Sequence, residues 1–151
     1  MPGAHPTIIP MIAFEDPGAA IEWLSRAFGF REREGSRYTD EHGVIGHAEL
    51  ELGDGLIMLA NPTPEYRGPR RHAEVCEQAR KWREVPYIID GLHVLVDDVD
   101  AHFRRARDAG ATILSELQDQ PHGERAYRVE DLEGHRWMFA QLLPKSLGPR
   151  R

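Results

Sequence analysis

A single cysteine, Cys76, excludes an internal disulfide, so nothing in the chain calls for an oxidising compartment. No apolar run approaches the ~20 residues of a membrane-spanning helix. Positive charge is the minority sign, with 19 Lys and Arg against 25 Asp and Glu, and the net charge of −6 gives no support for a nucleic-acid groove. The N-terminal Met-Pro-Gly-Ala-His-Pro has neither the basic segment nor the apolar segment of a secretory signal. Also missing are a glycine-rich phosphate loop, a serine nucleophile elbow and a cysteine pair at metal-ligand spacing. A cytoplasmic protein with no membrane or nucleic-acid partner is expected. Charges are interleaved, apart from a basic end (Lys145, Arg150, Arg151) that reads as a frayed terminus.

What is present is enough for one domain over residues 1–151, or two halves sharing a core, because a chain of this length buries roughly 70% of its unfolded surface. Two stretches share one design. Gly91-Leu-His-Val-Leu-Val-Asp-Asp-Val-Asp-Ala-His-Phe is a short apolar strand entering a helix capped by Asp98. Pro10-Met-Ile-Ala-Phe-Glu-Asp-Pro-Gly-Ala-Ala-Ile does the same, with Asp16 as cap and Pro17 at the first helical position. Ile21, Leu24 and Phe28 fall on one face of the first helix, and Gly29 ends it. Val99, Phe103 and Ala106 form the stripe of the second, which Gly110 ends.

Strands follow each helix. In the first half these are Phe30–Thr39, Ile45–Leu52 with the alternation of a half-buried strand, and Leu56–Ala60 after a Gly53-Asp-Gly turn. In the second half they are Ala111–Glu116, Ala126–Val129 and Arg136–Leu142. The order β-α-β-β-β therefore occurs twice, over residues 7–62 and 91–143. Between them, residues 63–90 form an insertion with no counterpart, helical from Pro69 to Trp82. Strands running into helices and then meandering imply an α+β fold, a mixed sheet with helices on one side.

A doubled unit of this kind, carrying Val96-Asp-Asp-Val-Asp into the helix, Ala109-Gly-Ala out of it and Asp131-Leu-Glu-Gly-His-Arg-Trp-Met-Phe at the last hairpin, resembles the vicinal oxygen chelate superfamily of glyoxalases, bleomycin-resistance proteins and extradiol dioxygenases. The resemblance spans about residues 7–62 and 91–142. It implies tandem modules that curl their sheets around a cleft, in a homodimer. In the metal-dependent members, four positions hold a divalent ion. Carried onto this chain they fall near Ile9 and on Met58, His93 and Met138. A metal centre needs about three His, Asp, Glu or Cys ligands, and thioethers suit a hard cation poorly. The likeness is therefore to the metal-free, bleomycin-resistance-like branch, with no metal and no cofactor expected.

His93, on an apolar strand, is either a cleft-lining histidine or a ligand-binding or acid/base group. Met58 and Met138 read as core or as an adaptable pocket wall. His47 and Glu49 share one face of their strand and are the best polar pair of the first half if that face is inward, and solvated if it is outward. Arg125 and Tyr127 hold the matching place in the second half. Trp137 reads as packing or as a stacking platform, and Trp82 sits on an insertion that either covers the cleft or packs outside it. His102 and His135 read as surface groups, and Cys76 lacks a paired base.

The expected function is a metal-independent binder of an apolar or aromatic small molecule, oriented by His93 and by Arg125 or Tyr127. Two alternatives stay open: a metal-dependent lyase or dioxygenase using His93 with His47 and Glu49, and a metal-free isomerase or lyase with His93 as general base.

Overall fold

The computed structural model describes residues 5–87 and 89–144; the basic end at Lys145, Arg150 and Arg151 lies outside them. The first module runs β1 (Met11–Ala13), α1 (Pro17–Phe28), β2 (Arg31–Glu32), β3 (Tyr38–Thr39), β4 (Ile45–Leu52) and β5 (Gly55–Ala60). The insertion holds α2 (Pro69–Val75) and α3 (Glu77–Arg83), and the second module is β6 (Gly91–Leu95), α4 (Val99–Asp108), β7 (Thr112–Gln120), β8 (Glu124–Glu130) and β9 (Arg136–Leu142). The modules form two sheets of the same plan. In β1-β5-β4-β2 the first strand lies parallel to the last, with β3 pairing β4, and β6-β9-β8-β7 repeats the order.

Local chemistry sets these elements. β1 begins just after Pro10, which has no N–H to give a ladder. Asp16 and Asp98 accept from Ala19 N (3.1 Å) and Ala101 N (3.0 Å), equivalent caps on equivalent helices. Gly29 takes φ +84°, the left-handed conformation that closes α1. Three expectations change. The strand read over Phe30–Thr39 is two short strands, the strand read over Ala111–Glu116 runs on to Gln120, and the insertion helix breaks at Cys76, which is extended at φ −131° and ψ 107°.

The core lies between the helices and the sheets and joins both modules. Phe28, at the end of α1, packs edge-on against Trp137 (5.4 Å) and Phe139 (4.7 Å) of β9. Arg105 of α4 donates to the α1 carbonyls of Arg26 (2.9 Å) and Ser25 (3.0 Å), at the helix end where carbonyls outnumber backbone donors. From the β8–β9 turn, Glu133 accepts from Glu15 N (2.7 Å) and Asp16 N (3.0 Å), pinning the second module to the entry of α1. One side of each sheet is thereby buried under helices, and the other is left as a concave face.

The insertion docks on that same turn. Glu130, buried on β8, receives Arg83 Nη2 at both carboxylate oxygens (2.8 and 2.9 Å), Arg70 (3.3 Å) and Arg136 (3.3 Å). Arg136 also donates to the carbonyls of Arg83 and Val85. Gly134, at φ +95°, lets the insertion approach, since a Cβ there would meet Arg70 N and an Arg83 nitrogen at 2.9 Å.

Candidate functional site

Side chains alternate across a strand, so register decides what the concave face carries. In the first module Met11 pairs with Met58, and Met58 with Glu49. In the second, His93 pairs with Met138, and Met138 with Arg128. These two rows are equivalent under the internal repeat, and both point away from the helices. Met11, rather than Ile9, is thus the first-module counterpart of His93.

His47 and Glu49 are inward, as one of the two readings had it. Glu49 is buried and accepts from His47 Nε2 (3.1 Å), with Arg33 Nη1 at 3.4 Å. Burial alone would raise the Glu49 pKa, but the hydrogen bond from His47 and the charges of His5 and Arg33 outweigh it and hold the carboxyl below the usual range. The second module repeats the device. Glu124, buried at the start of β8, faces His93 Nε2 (3.1 Å) and His122 Nε2 (2.9 Å). Burial again pulls its pKa up and is outweighed, here by the His122 hydrogen bond and by His93, so the carboxyl is lowered and stays ionised. A carboxylate only accepts, so His93 gives its Nε2–H to Glu124 and turns Nδ1 outward, with 46% of its side chain exposed.

The Arg125 and Tyr127 side chains turn away from this face, and Trp137, although it contributes to the wall of the third recess, is committed to the core. Arg125 reaches Asp100 on α4 (3.0 Å) and Asp119 (3.1 Å). Tyr127 is buried and bonds His102, and Trp137 is buried with its indole N–H on Asp131 (3.0 Å). Besides Glu124, the polar residue of β8 that looks into the concave face is Arg128, which sequence reading missed by one step of register. Its guanidinium stands over the Tyr87 ring at 5.9 Å. His102 and His135, read as surface groups, are half-buried. His102 bridges the modules, and His135 bonds Asp131 (3.2 Å) and packs on Phe14 (4.6 Å). The signal for His102 was present, since residues 99, 102, 103 and 106 make a full helical stripe. Trp82 is half exposed on α3 and lines none of the recesses described next.

Three adjoining recesses run along the concave side. The first, about 280 Å³, lies between Met11, His47, Met58 and Pro62. The second, about 290 Å³, crosses the module junction from Met11 past Tyr66 to Gly91 and Arg136. The third, about 200 Å³, lies between Tyr87, His93, Arg128 and Met138. Met11 is shared by the first two, and Ile89, Gly91, Leu92 and Arg136 by the last two. The helices of the insertion dock on the β8–β9 turn, and Pro86, Tyr87 and Ile89 at its end rim the third recess.

The four positions that carry a divalent ion in metal-dependent vicinal oxygen chelate proteins are here Met11, Met58, His93 and Met138. Three thioethers and one imidazole do not fit a hard cation. Among the described residues, no three or more His, Cys, Asp or Glu side chains are grouped to hold a metal ion. Nor is any described helix long and apolar enough to cross a membrane.

Comparison with known proteins agrees with this geometry. The family model for the Glyoxalase/Bleomycin resistance protein/Dioxygenase superfamily matches residues 6–139. An uncharacterised protein of Mycobacterium bovis is 31% identical over 141 residues, covering 91% of this chain and 84% of that protein. Among solved structures, TioX from Micromonospora sp. ML1 is 36% identical with a TM-score of 0.66, covering 93% of this chain and 100% of TioX. A glyoxalase-related enzyme from Clostridium phytofermentans shares the fold at 13% identity and a TM-score of 0.63, over 93% of this chain and 97% of its own. With its repeated modules, matched sheet registers and concave faces, the chain belongs to the glyoxalase/bleomycin resistance protein/dioxygenase superfamily.

Proposed function

We propose that this protein is a metal-independent small-molecule binder that holds an apolar or aromatic ligand against the methionine-lined concave faces of its sheets. The observation that carries this is the matched placement of Met11, Met58 and Met138, with His93, where metal-dependent relatives need hard ligands. Unbranched thioether side chains adapt to irregular apolar shapes and pack well on aromatic rings. The His47–Glu49 and His93–Glu124 pairs supply oriented polar groups at either end of the furrow. In this reading the protein acts in the cytoplasm as a homodimer.

The test is thermal unfolding in EDTA with a panel of apolar and aromatic compounds. Binding to the folded state alone stabilises it by an amount that grows with the logarithm of ligand excess, about 2.7 kcal/mol at a hundredfold excess over Kd, and so raises Tm. A rise with compounds of the panel supports the reading. A rise only with added divalent ions contradicts it.

One observation favours a second reading, a metal-free isomerase or lyase. Glu124 holds the His93 ring by Nε2 and so leaves Nδ1, on a residue that lines the third recess, as the nitrogen available to a general base. Turnover that survives chelation and is lost in His93→Gln would select this reading.

A further inference from the structure

Among the described residues, the third recess has a cation with no counter-ion. Two arginines line it, Arg136 and Arg128. Arg136 is fully engaged, with Glu130 and the carbonyls of Arg83 and Val85. Arg128 is half-buried, and among the described residues no carboxylate lies within ion-pair distance and no side-chain acceptor meets its guanidinium; its one neighbour is the face of Tyr87. Partial burial strips water from a charge, and that cost stays until an anion answers it.

From this we infer that Arg128 selects the ligand: the third recess takes the acidic end of an aromatic carboxylate. The inference rests on the small-molecule-binding reading and narrows it to a chemical class. A guanidinium presents a planar fork that two carboxylate oxygens fit side by side, which distinguishes an acid from its neutral analogues. Arg128, Met138 and His93 lie in one row across three adjacent strands, so Arg128 and His93 stand about 10 Å apart across the Met138 thioether. An acid held by Arg128 would lay its ring over Met138, beside Tyr87, with the far edge towards His93 Nδ1, which has no protein partner among the described residues. The size agrees. A cavity of about 150 Å³ accommodates benzene, and this recess of about 200 Å³ has room for a ring bearing its carboxylate or for a fused pair partly open to solvent. The equivalent position in the first module is Glu49, already paired, so the acid preference belongs to the second module alone.

The experiment is fluorescence titration in EDTA with 2-naphthoate and its neutral analogue 2-naphthamide, on the wild type, Arg128→Gln and Arg128→Lys. The wild type is expected to bind the acid at least tenfold more tightly than the amide. Arg128→Gln should erase that preference by weakening the acid alone, and Arg128→Lys, which keeps the charge but loses the fork, should retain part of it. Among the described residues the Arg128 side chain makes no hydrogen bond, so neither variant should unfold below the wild-type Tm; should Arg128→Gln not fold, the lysine variant carries the comparison. Equal affinity for acid and amide, or a preference that survives Arg128→Gln, overturns the inference and leaves metal-free binding standing. Binding of neither probe overturns the inference as well, and only a panel in which no compound raises Tm removes the broader reading with it.

Discussion

The hydroxyl of Tyr127 on β8 donates to Nδ1 of His102 on α4 across 2.6 Å, and Nε2 of the same ring gives its hydrogen to the Phe28 carbonyl of the first module at 2.8 Å. A carbonyl only accepts, so the ring is held as the neutral Nε2–H tautomer, one nitrogen for each module. Burial lowers the His102 pKa, the Phe28 bond partly offsets this and Arg105 adds to it, while burial pushes the Tyr127 hydroxyl up and keeps it a donor.

A pH dependence with a fixed sign is expected from this. The folded state resists protonation of His102, while the unfolded chain takes up a proton at about 6.5. The stabilisation is therefore fully present above that value and is lost as the pH falls through and below it. His102→Gln should cost about 1–3 kcal/mol at pH 7.5 through the stranded Tyr127 hydroxyl. The wild type's advantage over this variant in urea unfolding should shrink at pH 5.5. An advantage that grows on acidification would contradict the neutral tautomer.

Glu130 holds the insertion to the second module through Arg70, Arg83 and Arg136. Replacing it with alanine leaves buried positive charge uncompensated, at a cost of about 3–5 kcal/mol. Trypsin should then cleave Glu130→Ala within residues 69–84 well before any other region. Cleavage rates there equal to those of the wild type would show that the arginines dock without it.

Glu124 should govern the tautomers of two histidines. Long-range proton–nitrogen spectra above pH 8 are expected to show His93 and His122 as Nε2–H in the wild type, and as unconstrained mixtures in Glu124→Ala. An Nδ1–H tautomer for His93 in the wild type would exclude the outward lone pair on which its role as a base rests.

Much of the fold was legible because local rules and the core agree. The Asp16 and Asp98 caps, the glycine at the end of α1 and the alternation of Ile45–Leu52 each fix an element or a face by themselves. β8 was not legible in the same way. Arg125, Tyr127 and Arg128 offer polar atoms on both faces, so nothing local says which parity faces the helices; the Tyr127–His102 bond decides it, and that pairing lies 25 residues away. The insertion was opaque for a related reason. Its helices carry only Ala73 as a buried residue, and its position comes from ion pairs to Glu130 that no periodicity records.

The central claim is that methionines, not a metal, form the floor of the site. It is tested most directly by methyl spectra of protein labelled with ¹³C at the methionine methyls, recorded in EDTA with and without an aromatic ligand. Met58 and Met138 lie under the furrow, Met11 on its edge. The expected result is a saturable, ring-current upfield shift of the Met58 or Met138 methyl with no metal present. Unmoved methyls across the ligand panel, together with paramagnetic broadening of the same signals by added Mn(II), would contradict it.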